Sequence, residues 1–237
     1  MVRSDRQGRD AERSSPRRQA PAGYVPRQNA TPAPTEDTGY RGTAAPPTSA
    51  PNWAHRVYVE RPADLAKAAT HLRSARVLAL DAEFSQPRMR GPDEPAHRLS
   101  LLQLAADDDY DTAYVIDALR LNDLTPLEPL FTDHGILKLF HGIGADARVL
   151  STRGLVAENT LDLEAVSRSI FGQRESGLQA MLQRACGIRL DKSWQRADWS
   201  KRPLNPAMIA YAARDAETTF ALYGWLTMHY SWAVALH

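Results

Sequence analysis

Cysteine is almost missing from this chain. Cys186 is the one thiol among 237 residues, which excludes a disulfide framework or a cysteine-built zinc site and fits a reducing, cytoplasmic setting. Net charge is nearly missing as well. The 29 Lys+Arg against 28 Asp+Glu leave +1, so no global field draws the protein to nucleic acid, and a polyanionic partner has to be met by a local patch. No apolar run reaches the roughly 20 residues of a membrane span. The arginines near the N-terminus are interrupted by Asp5, Asp10 and Glu12, so neither a membrane partner nor a targeting leader is expected. A glycine-rich phosphate loop and internal repeats are also absent.

Large aliphatic side chains are scarce in residues 1 to 52, where Pro, Ala, Ser, Thr, Gly and Arg dominate. Such a stretch buries too little apolar surface to offset the entropy of ordering it. The expectation is a disordered tail over 1–52, with eight arginines against five acids, followed by one folded domain over 53–237. Within that domain "RVYVE" reads as a strand and Pro62 to Leu72 as a helix opened by proline. Arg76 to Leu80 reads as a buried strand, "RLSLLQLAA" and "AYVIDA" as two more joined by a turn at "DDDYDT", and "ILKLFHG" as a fourth buried strand. Helices are expected at "TPLEPLF", near 144–153, 160–171 and 177–186, and from Pro206 onward with Asn205 as N-cap. A polar loop fills 187–204. Strands first and helices later point to an α/β fold with a mixed sheet of five to six strands flanked by helices.

Against this background four acids stand out. Asp81 and Glu83 follow the apolar run "RVLAL", and residues two apart on a strand project to one face. Asp146 falls in the first turn of a helix that follows a buried strand. Asp215 sits among Met208, Ile209, Ala212, Phe220 and Tyr223 on the last helix, with Tyr211 one turn before it. Any one of these acids alone reads first as a solvated turn. Four converging near a core would repel one another unless cations neutralise them. Two hard divalent ions, Mg²⁺ or Mn²⁺, are the natural complement and form the clamp used to hydrolyse phosphodiesters.

These residues stand in a familiar order. "LALDAEF", "LFHGIGAD" and "YAARD" resemble the three motifs of the DEDD superfamily of 3′–5′ exonucleases, in its ribonuclease D-like, tyrosine-bearing (DEDDy) branch. The histidine-bearing branch has its histidine where this chain has Ala210. "LDKSWQRADWSKRPL" is similar to the segment before the third motif in ribonuclease D, Rrp-type and Werner-type nucleases. The resemblance covers roughly residues 55 to 230. It implies a ribonuclease H-like fold, two Mg²⁺ or Mn²⁺ ions on Asp81, Glu83, Asp146 and Asp215, a catalytic Tyr211, and release of 5′-mononucleotides from a 3′ end. Ala82 stands where the first motif often has threonine. Ribonuclease D proper has helical nucleic-acid-binding domains after its nuclease domain. This sequence includes no counterpart, which predicts a weak hold on long structured RNA.

The substrate contacts stay more open. Phe84 either wedges against the terminal base or caps the core, and His141 either contacts the terminal nucleotide or serves structure. Between Arg184 and Arg202 six cations face two acids, interleaved with Trp194 and Trp199, a pattern suited to single-stranded nucleic acid. Trp199 is expected as an anchor, and Lys192, Trp194 and Arg196 as the contacts nearest the substrate, with Arg88, Arg90 and Arg98 extending the surface. Gln103 and Cys186 read as structural, and Asp162 as a helix cap or a support for the site. The expected partner is single-stranded RNA or an RNA 3′ end. DNA, or metal-independent binding without turnover, are the rival readings.

Overall fold

A computed structural model of the chain describes residues 55–85, 97–106 and 112–237. The expected tail, the arginine loop with Arg88 and Arg90, and most of the "DDDYDT" turn lie outside these residues. Six strands form one mixed sheet: β1 (His55–Val59), β2 (Val77–Ser85), β3 (Arg98–Ala106), β4 (Thr112–Asp117), β5 (Leu137–Phe140) and β6 (Thr160–Asp162). Their order is β1-β4-β3-β2-β5-β6. The β4-β3-β2 ladders are antiparallel, and the outer pairings β1·β4, β2·β5 and β5·β6 are parallel.

Alternation along the strands sorts the core into two layers. Leu78, Leu80, Leu102, Leu104 and Ile116 face α1 (Pro62–Leu72), α2 (Glu128–Thr132, entered through a 3₁₀ turn at Thr125–Leu127) and α3 (Ile143–Ser151). Ala79, Leu101, Ala105, Ala113, Val115 and Leu139 face the other way. There they meet α4 (Leu163–Phe171), α5 (Leu178–Cys186) and the long α6 (Pro206–Val234). Both sides of the second contact are rich in alanine: Ala79, Ala105 and Ala113 on the sheet, Ala212, Ala213 and Ala216 on the helix, all buried. Small side chains let the α6 backbone lie close to the strands. Arg56 on β1 fixes the helix laterally, with two parallel bonds of 2.7 and 2.8 Å to the buried Glu217. A planar fork on a carboxylate resists both sliding and rotation.

Two boundaries differ from expectation. β2 runs on to Ser85, so Asp81 and Glu83 lie inside the strand and not beyond its end. The cause is β3, whose ladder continues to pair with β2 as far as Arg98, with one register shift between Glu83 and Phe84. The second concerns the helix expected from about 160. Its first three residues are instead strand β6, added to the sheet edge by β5, and Asp162 caps the helix that follows.

Candidate active site

Asp81 and Glu83 stand two apart on β2, on the strand face that turns toward α6. Asp215 comes from the third turn of that helix, held close by the alanine contact. Carboxylate oxygens of Asp81, Glu83 and Asp215 all lie within 4.8 Å of one another. Asp146, buried in the first turn of α3, adds the fourth charge. The turn into α3 is made by Gly142 in the left-handed region (φ 89°), where a side chain would be strained. Asp162 then ties this turn down: its carboxylate accepts from Gly142 N at 2.8 Å and Ile143 N at 3.4 Å, and also caps α4 through Glu164 N at 2.9 Å. One acid outside the cluster thus orients the helix that presents Asp146.

Burial first, then the charges of Asp81, Asp215 and Asp146, push the Glu83 carboxyl up to about 10. Burial and the neighbouring Asp81 and Asp162 push Asp146 up to about 8. Burial brings Asp81 to about 7. Asp215 is held well above the usual carboxylate range by burial and by Asp81, with Arg214 opposing. The protein surroundings therefore do not supply enough positive charge to keep these acids ionised, and without a cation the cluster holds protons at neutral pH. An oxygen-only donor set of this kind fits a hard divalent cation. One turn before Asp215, the Tyr211 hydroxyl is raised above its ordinary value by burial and then by Asp215, Glu83, Asp81 and Asp191. Its ring packs on the buried Trp199, with centroids 6.1 Å apart. Without a cation beside it this phenol stays protonated at neutral pH and acts as a donor.

Asp81, Glu83, Tyr211 and Asp215 open into a groove of about 1160 Å³, lined also by His141, Arg174, Gln179, Gln183, Arg189, Lys192 and Gln195; Asp146 does not line it. The model of a 3′-5′ exonuclease family matches residues 57–229, nearly the whole described domain. The chain belongs to the 3′–5′ exonuclease family. Over 144 residues it is 31% identical to a ribonuclease D from Cronobacter turicensis, covering 60% of this chain and 37% of that one. Among solved structures it is similar to Escherichia coli ribonuclease D, described as an exoribonuclease involved in structured RNA processing. That likeness has 27% identity and a TM-score of 0.65, over 73% of this chain and 44% of that one. It is also similar to Trypanosoma brucei ribonuclease D in complex with the RNA U12 (28% identity, TM-score 0.66, 76% and 64% covered). The chain spans well under half the length of the curated relatives it matches.

Within this exonuclease domain the remaining expected contacts divide. Lys192 lines the carboxylate groove; Trp194 and Arg196 do not, and line a neighbouring groove instead. Phe84 is half buried against the first core layer, edge-on to His97 at 6.1 Å, and is absent from the groove lining. His141 lines the groove, but its Nε2 donates to Ser176 O at 3.0 Å, pinning the α4–α5 linker to the end of β5. Burial lowers its pKa, so the ring is neutral and offers only Nδ1 to a ligand.

Trp199 is buried as an anchor. The basic segment is locked to the sheet by Arg202, which bonds the buried Asp117 through Nε (2.5 Å) and Nη2 (2.8 Å) and also reaches the carbonyls of Trp199, Lys201 and Ser100. Tyr58 donates to the same carboxylate. Gln103, opposite Asp81 in the β2·β3 ladder, is fully buried with both amide atoms unpartnered. Arg174, Gln179 and Gln183 were missed by the sequence reading. They lie upstream of the basic run that drew attention, and only the packing of α5 brings them to the groove.

Proposed function

We propose that this domain removes 5′-mononucleotides from the 3′ end of single-stranded RNA, with two divalent cations, Mg²⁺ or Mn²⁺, held by Asp81, Glu83, Asp146 and Asp215. The observation that carries the reading is the carboxylate cluster on rigid mounts, its acids kept from ionising by burial and by one another, at the floor of a groove edged with cations. When bound, such ions supply acidification of the attacking water and neutralisation of the phosphoryl oxygens. The chain's own residues do the rest. Asp81 and Glu83, on a strand paired to β3 along this stretch, and Asp215, on a helix fixed by Arg56–Glu217, hold the ligand oxygens without reorganisation. Tyr211 donates its hydroxyl proton into the groove and so orients the attacking water and shapes the site for the terminal nucleotide.

Arg174, Arg189 and Lys192 have no ion-pair partner among the described residues, and their charge is available to the phosphates that approach the carboxylates. No helix among the described residues is long and apolar enough to cross a membrane, and a reducing, cytoplasmic setting is part of the same proposal. The test is purified protein with Mg²⁺ or Mn²⁺ on matched 3′-end-labelled RNA and DNA strands, beside Asp81→Ala. Metal-dependent shortening of RNA, reduced about a thousandfold or more in the variant, is the expected result. Equal activity in both proteins would refute the site, and preferential cutting of the DNA strand would replace RNA with DNA as substrate.

A further inference from the structure

A second groove, of about 780 Å³, adjoins the first. The turn over residues 192–195 forms the ridge between them: Lys192 and Gln195 line both. Beyond the ridge the lining changes character. Arg196 and Lys201 supply positive charge, Trp194, Pro203 and Met208 supply apolar surface, and Ser193 and Asn205 supply neutral polar groups. Asp198 is the one acid in the lining, and Lys201 lies 4.0 Å from it. Lys192 and Arg196 have no ion-pair partner among the described residues. The walls are not loose. Trp194 packs into the second core layer, Asp191 and Asp198 each close a local turn onto Ser193 and Ser200, and Arg202 bolts the segment to Asp117.

We infer that this second groove is a binding subsite for the upstream nucleotides of the same single strand whose 3′ end lies over the carboxylates. The inference rests on the proposed nuclease reading for the direction of the strand. Three observations carry it: cations suited to phosphates, an aromatic and apolar floor suited to sequence-independent base contact, and a shared ridge that makes the two grooves continuous. A strand crossing at Lys192 meets cations on both sides. In this arrangement a strand long enough to pass Lys192 gains contacts at Arg196 and Lys201 that a strand confined to the first groove lacks. The subsite therefore sets a length preference.

The test compares wild type with Arg196→Ala/Lys201→Ala on a uridine dinucleotide and on an oligouridylate of about ten residues. Kinetics are read as the ratio of kcat/KM for the long substrate to that for the short one. The expected result is a fall of roughly tenfold in that ratio, carried by KM, with the salt dependence of log KM for the long substrate shallower by about 1.4, since each lost phosphate contact on a single strand contributes about 0.7. An unchanged ratio overturns the subsite. The second arm needs no turnover. Fluorescence anisotropy of the labelled long strand is measured in the Asp81→Ala background, with and without the two further substitutions, and with Trp194→Ala as an independent probe of the floor. Loss of affinity in both supports the subsite, and equal affinity overturns it. If wild type cuts no nucleic acid, the catalytic reading fails while the anisotropy arm still decides the groove. Circular dichroism on each variant separates unfolding from lost contact, because Arg196 and Lys201 are exposed.

Discussion

Replacing Glu83 by Gln should make the metal-free protein more stable while removing its activity. Glu83 carries the largest numerically resolved shift in the cluster, from 4.5 to about 10, caused by burial and then by Asp81, Asp215 and Asp146. For an acid whose folded pKa is raised, the folded state holds a proton that the unfolded state has released. Stability then falls as pH rises from the unfolded value to the folded one. The slope is about 1.4 kcal/mol per pH unit, so between pH 4.5 and pH 7 the wild-type carboxylate costs about 3 kcal/mol. The groove is open to water, and solvent screening reduces this to about 1–2 kcal/mol. Glutamine keeps the shape and never charges. In EDTA at pH 7 the variant should melt about 2–8 °C higher than wild type, using roughly 2–4 °C per kcal/mol for a domain of this size. At pH 4.5 the difference should nearly vanish, because the carboxyl is then protonated in the folded state and already half protonated in the unfolded one. Added Mg²⁺ or Mn²⁺ should reverse the order, stabilising wild type more than the variant. Thermal unfolding by circular dichroism at both pH values, with EDTA and with excess cation, reads all of this. A variant less stable than wild type in EDTA at pH 7, or equal gains from the cation in both proteins, would refute the reasoning.

Cation binding should release protons near neutral pH, because Asp81 and Asp146 rise to about 7 and 8 through burial and, for Asp146, the neighbouring Asp81. Apparent affinity for Mg²⁺ should therefore grow from pH 6 to pH 8, read by titration calorimetry in two buffers of different ionisation enthalpy. Tyr211→Phe keeps every carboxylate and should cost about 10- to 100-fold in kcat, far less than Asp81→Ala, with cation affinity little changed. Asp162→Ala removes the ties to Gly142 and Ile143 and the cap of α4. It should lose about 1–2 kcal/mol in urea unfolding and weaken cation binding through a displaced Asp146. Arg202→Met leaves the fully buried Asp117 with no guanidinium nearer than Arg120, 3.9 Å away, and should cost about 3–5 kcal/mol, with faster proteolytic cleavage in the 187–204 segment.

The acids and their grouping are legible in the order of residues alone. A strand repeat of two puts Asp81 and Glu83 on one face, a helical turn puts Tyr211 beside Asp215, and both relations are local geometry that any fold must respect. The proline and asparagine at the start of α6 are legible for the same reason, since a cap acts within one turn. Distance between segments is instead a product of packing. That Asp215 comes within 4.8 Å of β2 depends on alanines facing alanines across the α6–sheet contact, and no window of sequence displays that pairing. The length of β2 was set by its partner β3, and the strand β6 exists because β5 offered an edge to pair with. Phe84 and His141 show the same limit from the other side. Their motif positions say that they neighbour the site, but the face a side chain takes and the partner its ring nitrogen finds are settled by packing. The basic segment was legible as charge; its division into two grooves was not, because a ridge between cavities is made by the path of the chain and not by its composition.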